Sequence, residues 1–190
     1  MSDEQMAREL ISIFMCKKDP DIESFLKEKA ILFEKVGKSR TFLVFDEDSE
    51  EFKVLAYFTL ALQVLRIPDS LSNRKIKDFD GFNAKIKGEK ITEFPAILIG
   101  QFGKNDLYKH YITGFELMGY CLNTLLDGQN RLGGRIVTLE CKDVPYLVDF
   151  YTQFGFMKLE KDYEKEELLH FIKILQEDEL IEKGTSEEAK

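Results

Sequence analysis

Apolar positions near the start of the chain recur three and four residues apart, whereas further on they bunch into short unbroken runs, and this change of period divides helices from strands. Met6, Leu10, Ile13 and Phe14 share one helical face, and Ser2 with Gln5 matches a capping box, so a first helix of about three turns is predicted. Asp19-Pro20 predicts a second helix, with Asp as cap and Pro at the first helical position. Ile22, Phe25, Leu26, Ala30 and Phe33 form its apolar stripe, and Gly37 ends it. Residues 41–45 and 52–65, rich in aromatic and aliphatic side chains, flank the charged turn from Asp46 to Glu51 and read as a strand hairpin. Residues 68–94 are polar and basic without clear periodicity and read as an insertion between strands that has room for a short helix.

The centre of the chain has a more regular order. A buried strand at 95–102 is followed by a polar loop and a helix opening near Gly114, then a second strand at 135–141 and a helix that runs into Phe150-Tyr151. A closing strand pair is expected at 156–159 and 168–174, and a flexible acidic tail at 177–190. There is no internal repeat. Early hairpin and late crossover helices together predict an α/β (α+β) sheet covered by helices, in a single domain over residues 1–176.

Charge and composition narrow the chemistry. The 190 residues carry a formal net charge of -8, which argues against indiscriminate nucleic-acid binding. The charge is uneven. From Glu160 onward there are eleven acidic and five basic residues, whereas Arg74, Lys75, Lys77, Lys85, Lys87 and Lys90 outnumber Asp78, Asp80 and Glu89 within the insertion. No apolar run approaches the ~20 residues that span a bilayer, and the acidic start lacks the order of a signal peptide, so a cytoplasmic protein without membrane contact is expected. Cys16, Cys121 and Cys141 are odd in number and widely spaced, which fits buried reduced thiols better than a disulfide framework or zinc site. His110 and His170 are too few and too separated for a metal site.

Over residues 40–175 the chain resembles the GNAT superfamily of acyl-CoA-dependent N-acetyltransferases. Two motifs carry the resemblance: Lys109-His110-Tyr111-Ile112-Thr113-Gly114, placed as the family's Arg/Gln-x-x-Gly-x-Gly/Ala loop with Ile112 in place of the middle glycine, and Phe150-Tyr151-x-x-x-Gly155-Phe156 after a strand. The front end is similar to the toxin-type branch found in bacterial toxin-antitoxin pairs, through Phe14-x-Cys16, Asp21-Ile22-x-x-Phe25-Leu26, Ser39-Arg40-Thr41 and the insertion before Pro95-Ala-Ile-Leu-Ile-Gly100, although Lys17 stands where that branch commonly has glycine. The resemblance implies a mixed, twisted central sheet with helices on both faces and acetyl-CoA as acyl donor, with no metal. It places the CoA pyrophosphate on Lys109, His110, Tyr111, Ile112, Thr113 and Gly114, and the pantetheine arm beside Phe102, Gly103 and Lys104. Tyr151 becomes the catalytic acid. A homodimer, an antitoxin partner and an aminoacyl-tRNA acceptor are implied by the toxin branch.

These residue types suit such chemistry. A helix N-terminus presents unpaired N–H groups and about half a positive charge to a diphosphate. Ile112 leaves two outcomes open: an ordinary loop conformation with the side chain turned away, or weakened cofactor binding. Ile97, Leu98, Ile99 and Phe102 would be apolar in any central strand. A phenol can protonate or hydrogen-bond a departing thiolate, and general acids contribute about 10²–10⁴-fold. No base stands out, although Glu140, Glu93 and Asp46 are candidates by position. At neutral pH roughly a tenth to a sixth of an α-amine is uncharged against about 0.04% of a lysine, so an enzyme without a strong base suits α-amines. Three readings follow: acetyl transfer to a primary amine, toxin-type acetylation of aminoacyl-tRNA, and a non-catalytic CoA-binding or interaction protein of the same fold.

Overall fold

The computed structural model describes residues 3–46, 52–164 and 167–175. Ser2 of the expected capping box, most of the charged turn after Asp46 and the expected acidic tail lie outside them. The chain divides into two compact units, Met1–Gln63 with Ile97–Thr124, and Val64–Ala96 with Leu125–Lys190.

The first unit opens with α1 (Asp3–Ser12). This helix stops before Ile13, so the expected stripe is corrected: Met6 and Ile13 are exposed, and Ile11 and Phe14 are the buried pair. Asp19 and Pro20 then start α2 (Pro20–Ser24), with Asp19 at the cap in an extended conformation. The helical run continues through a π-turn, Phe25–Lys29, into α3 (Ala30–Lys35). Gly37, at φ +68°, ends it in a Schellman stop: the Lys38 amide donates to the Phe33 carbonyl at 2.8 Å and the Gly37 amide to the Glu34 carbonyl at 3.1 Å. The buried side of this run, Leu26 and Ala30, packs with Ile11, Phe14, Cys16, Val54 and Tyr57. Fully burying a side chain such as Leu26 contributes about 1.5–3 kcal/mol. The Tyr57 hydroxyl donates to the Ile22 carbonyl at 2.5 Å, and burial pushes its pKa far above the ordinary value.

Strand β1 (Arg40–Phe45) pairs antiparallel with β2 (Val54–Arg66), from Arg40 opposite Leu60 to Phe45 opposite Val54 with a bulge at its end, which is the expected hairpin. The next strand of the sheet is β5 (Glu93–Lys104), giving the order β1-β2-β5 in this unit.

In the second unit, the stretch expected to be an unpatterned insertion is ordered and packed. It holds α4 (Asn73–Asp80), capped by the Ser72 hydroxyl accepting from the Lys75 amide at 3.3 Å, and a small hairpin of β3 (Lys85–Ile86) with β4 (Glu89–Lys90). Ile76 and Phe79 of α4 enter a core with Leu65, Leu71, Phe94, Ile136 and Ile172. Only these two of the helix's eight residues are apolar, so burial came from contacts that period alone does not reveal. Here the strand order is β6-β8-β7: β8 (Leu169–Ile174) lies between β6 (Ile136–Cys141) and the two-residue β7 (Met157–Lys158), antiparallel to both. The expected closing strand pair is thus present. Two further helices, α5 (Gly114–Leu132), which begins in the first unit, and α6 (Pro145–Gln153), match the sequence expectation in place and order.

Candidate functional site

The loop that carries the first motif is anchored by one buried side chain. Asn105, fully buried at the end of β5, donates from its amide nitrogen to the Val54 carbonyl at 2.9 Å. Its side-chain oxygen accepts from the amides of Met15 at 3.2 Å and Leu107 at 3.1 Å. Asp106 adds a second clasp to the chain after α1, with its amide on the Met15 carbonyl at 2.8 Å and its carboxylate on the Lys17 amide at 2.7 Å. These bonds hold the end of β5 and a 3-10 turn, Asp106–Tyr108, ahead of the loop.

Within the loop, Lys104 Nζ donates to the carbonyls of Lys109 at 3.1 Å and Ile112 at 2.8 Å. The ammonium thus lies behind the loop and turns two carbonyls toward itself. Ile112 is 4% exposed, and no residue from 109 to 114 has a positive φ. Ile112 thus has an ordinary backbone conformation with its side chain buried, and this backbone path requires no glycine there. Lys109, His110 and Tyr111 are exposed, with the Tyr111 ring edge-on to Tyr108 at 6.0 Å. Gly103 has a packing role: a Cβ there would stand 2.6 Å from Ile22 Cγ2. Phe102, beside it in β5, is half-buried.

The mouth of α5 holds a feature that the motif comparison passes over. Thr113 and Glu116 form a reciprocal capping box: the Glu116 amide donates to Thr113 Oγ1 at 3.1 Å and the Thr113 amide to Glu116 Oε2 at 2.6 Å. The Thr113 amide, with the Thr113 hydroxyl and the Lys104 charge, holds the Glu116 carboxyl below its ordinary 4.5. The Thr-x-x-Glu spacing just before an apolar run was the sequence signal for it. Asn105 shows in sequence only as a cap for its own turn through Leu107; its bonds to Val54 and Met15 come from elsewhere in the chain and had no signal.

Tyr151 belongs to the second unit. It sits in the last turn of α6, 7% exposed, with ring centroids of Phe150, Phe156 and Phe171 at 5.2, 6.1 and 6.0 Å. The Phe156 amide donates to the Tyr151 carbonyl at 3.2 Å and the Gly155 amide to the Thr152 carbonyl at 2.9 Å, while Gly155 takes φ +78°. That is another Schellman stop, including its usual apolar contact between the third-last helical residue and the one after glycine. The Gly155-Phe156 half of the motif is therefore explained by helix termination, and it fixes the position from which Tyr151 projects.

Two of the three base candidates meet a basic side chain. Glu140 faces His170 across β6 and β8, with Oε1 3.4 Å from Nε2, and Glu93 pairs with Arg66 at 2.9 Å. Burial pushes the Cys121 thiol up to about 12 and Cys141 to about 11, and raises Cys16, so all three thiols remain protonated at neutral pH. Among the described residues no helix is long and apolar enough to cross a membrane, and no group of three or more His, Cys, Asp or Glu could hold a metal ion.

No family model matches the chain, and no curated protein matches its sequence. Solved structures do match in fold. AtaT complexed with acetyl-methionyl-tRNAfMet is 18% identical with a TM-score of 0.64, over 85% of this chain and 86% of that one. A tyrosine-to-phenylalanine mutant of KacT is 18% identical with a TM-score of 0.63, over 85% and 86%. A tyrosine-to-phenylalanine mutant of the AtaT toxin bound to the C-terminus of the antitoxin AtaR and acetyl-CoA is 16% identical with a TM-score of 0.57, over 84% and 82%. The chain shares the fold of these AtaT and KacT structures, a mixed α/β arrangement.

Proposed function

We propose that this chain is an acetyl-CoA-dependent N-acetyltransferase whose acceptor is the α-amine of an aminoacyl-tRNA. The observation that carries the reading is the fold likeness to AtaT in its complex with acetyl-methionyl-tRNAfMet, at a TM-score of 0.64 across 85% of this chain. A strand leading through a bonded loop into a helix N-terminus supports acetyl-CoA as donor, and the AtaT structure that contains acetyl-CoA supports it further.

In the reaction, a neutral amine attacks the thioester carbonyl carbon and the C–S bond breaks as the tetrahedral intermediate collapses. The proton from the new amide nitrogen passes to water. CoA departs as a thiolate, and the Tyr151 phenol donates a hydrogen bond or its proton to that sulfur. An α-amine needs no strong base for this, in agreement with the engagement of Glu140 with His170 and of Glu93 with Arg66. Replacing Tyr151→Phe should leave acetyl-CoA binding within about twofold while lowering turnover about 10²–10⁴-fold. Calorimetry and thiol release with a panel of charged tRNAs measure the two parts. Acetyl-CoA bound without acetylation of any charged tRNA would remove the acceptor assignment.

Two partner assignments accompany this reading. An antitoxin is proposed from the AtaT structure bound to the C-terminus of AtaR, and a homodimer from the resemblance to the toxin branch. Co-expression with the product of the neighbouring gene and light scattering of the purified chain test them. A non-catalytic CoA-binding or interaction protein of the same fold is the second reading, favoured by the engagement of the base candidates Glu140 and Glu93 with His170 and Arg66.

A further inference from the structure

The α5 N-terminus carries its own anion. Glu116 Oε2 accepts the Thr113 amide at 2.6 Å, the shorter of the two capping-box bonds, and the Glu116 amide is engaged by Thr113 Oγ1 at 3.1 Å. Two donors of the kind a diphosphate uses at a helix mouth are thus bonded within the helix, and one of them to a full negative charge. Lys104, whose charge acts on Glu116, has its ammonium directed at two loop carbonyls.

We infer that Glu116 is a built-in competitor for the cofactor's diphosphate: its carboxylate must leave the Thr113 amide before that amide can serve a phosphate, and it thereby sets donor affinity. The inference rests on the acetyl-CoA reading. Charge and hydrogen bonding act in the same direction, since a retained carboxylate both occupies a donor and repels the incoming anion. Thr113 keeps the helix start defined while the carboxylate moves, because its hydroxyl bonds the Glu116 amide rather than the side chain alone.

Glu116→Gln separates charge from capping, because glutamine serves equally at the third position of a capping box. By calorimetry, acetyl-CoA should bind Glu116→Gln about three- to tenfold tighter than the wild type, with Glu116→Ala at least as tight. Acetyl-pantetheine, which lacks the diphosphate, should show no such gain. Thermal melting of both variants establishes that each is folded. Wild-type binding with equal or weaker affinity in Glu116→Gln overturns the inference, as does an equal gain with acetyl-pantetheine. Acetyl-CoA binding to none of the three proteins overturns the cofactor reading itself, and the competitor role with it.

Discussion

Asn105 shows how much one side chain can hold in place. Its carboxamide satisfies a carbonyl of β2, an amide from the segment after α1 and an amide of the turn that follows it. Asn105→Leu would keep the volume and leave those three backbone groups without this partner; only the Val54 carbonyl bond is fully buried, so a loss of about 1–3 kcal/mol is expected in urea unfolding. Gly155 is a conformational requirement of a different kind. At φ +78° an alanine is strained, so Gly155→Ala should destabilise by about 1 kcal/mol and lower the melting temperature. Neither effect depends on acetyl transfer, so both variants test the architecture apart from the function. Lys104 and Ile112 changed meaning once side-chain directions were known: the first stitches the loop from behind and the second fills the interior.

At the scale of elements, the α4 and β3–β4 segment is where sequence and structure diverge most. Its basic character is real, but Lys75 pairs with Glu160 at 2.6 Å and Lys90 donates to the Asp69 carbonyl, while Arg74, Lys77, Lys85 and Lys87 are exposed, the last two together on the hairpin. If charged tRNA is the acceptor, Lys85→Gln with Lys87→Gln should weaken its binding uniformly across tRNAs and flatten the logarithmic salt slope by up to about two. An unchanged slope in filter-binding titrations would exclude the hairpin from the tRNA contact. The other elements were easier to read. The Asp19-Pro20 start, the Gly37 stop and the Gly114 helix each follow from backbone chemistry local to a few residues.

Over the whole molecule, several exposed carboxylates are held ionised by particular partners. Lys35 lowers the pKa of Glu4, Lys27 that of Glu23, the Thr113 amide that of Glu116 and Lys161 that of Glu167, each from an ordinary 4.5. A depressed folded-state pKa contributes stability that is present above the unfolded value and is lost as pH falls through the folded one. The urea midpoint should therefore be level near neutrality and decline as pH drops below about 4.5. High salt should shrink the part due to the three lysine pairs and spare most of the Glu116 part, which comes from a backbone amide. A midpoint unchanged in acid would show that these contacts do not differ between folded and unfolded chains.

The sequence alone determined the order and type of most elements, because helix caps, stops and strand alternation are set by neighbouring residues through short-range sterics and hydrogen bonds. It also held the Thr113-x-x-Glu116 box. Tertiary structure alone decided which apolar residues of α1 are buried, that α4 packs into a core, and that Asn105 ties its own turn to β2 and to the segment after α1. Those outcomes depend on partners far apart along the chain, and no local pattern encodes which distant group will fill a buried hydrogen bond or a gap in the core.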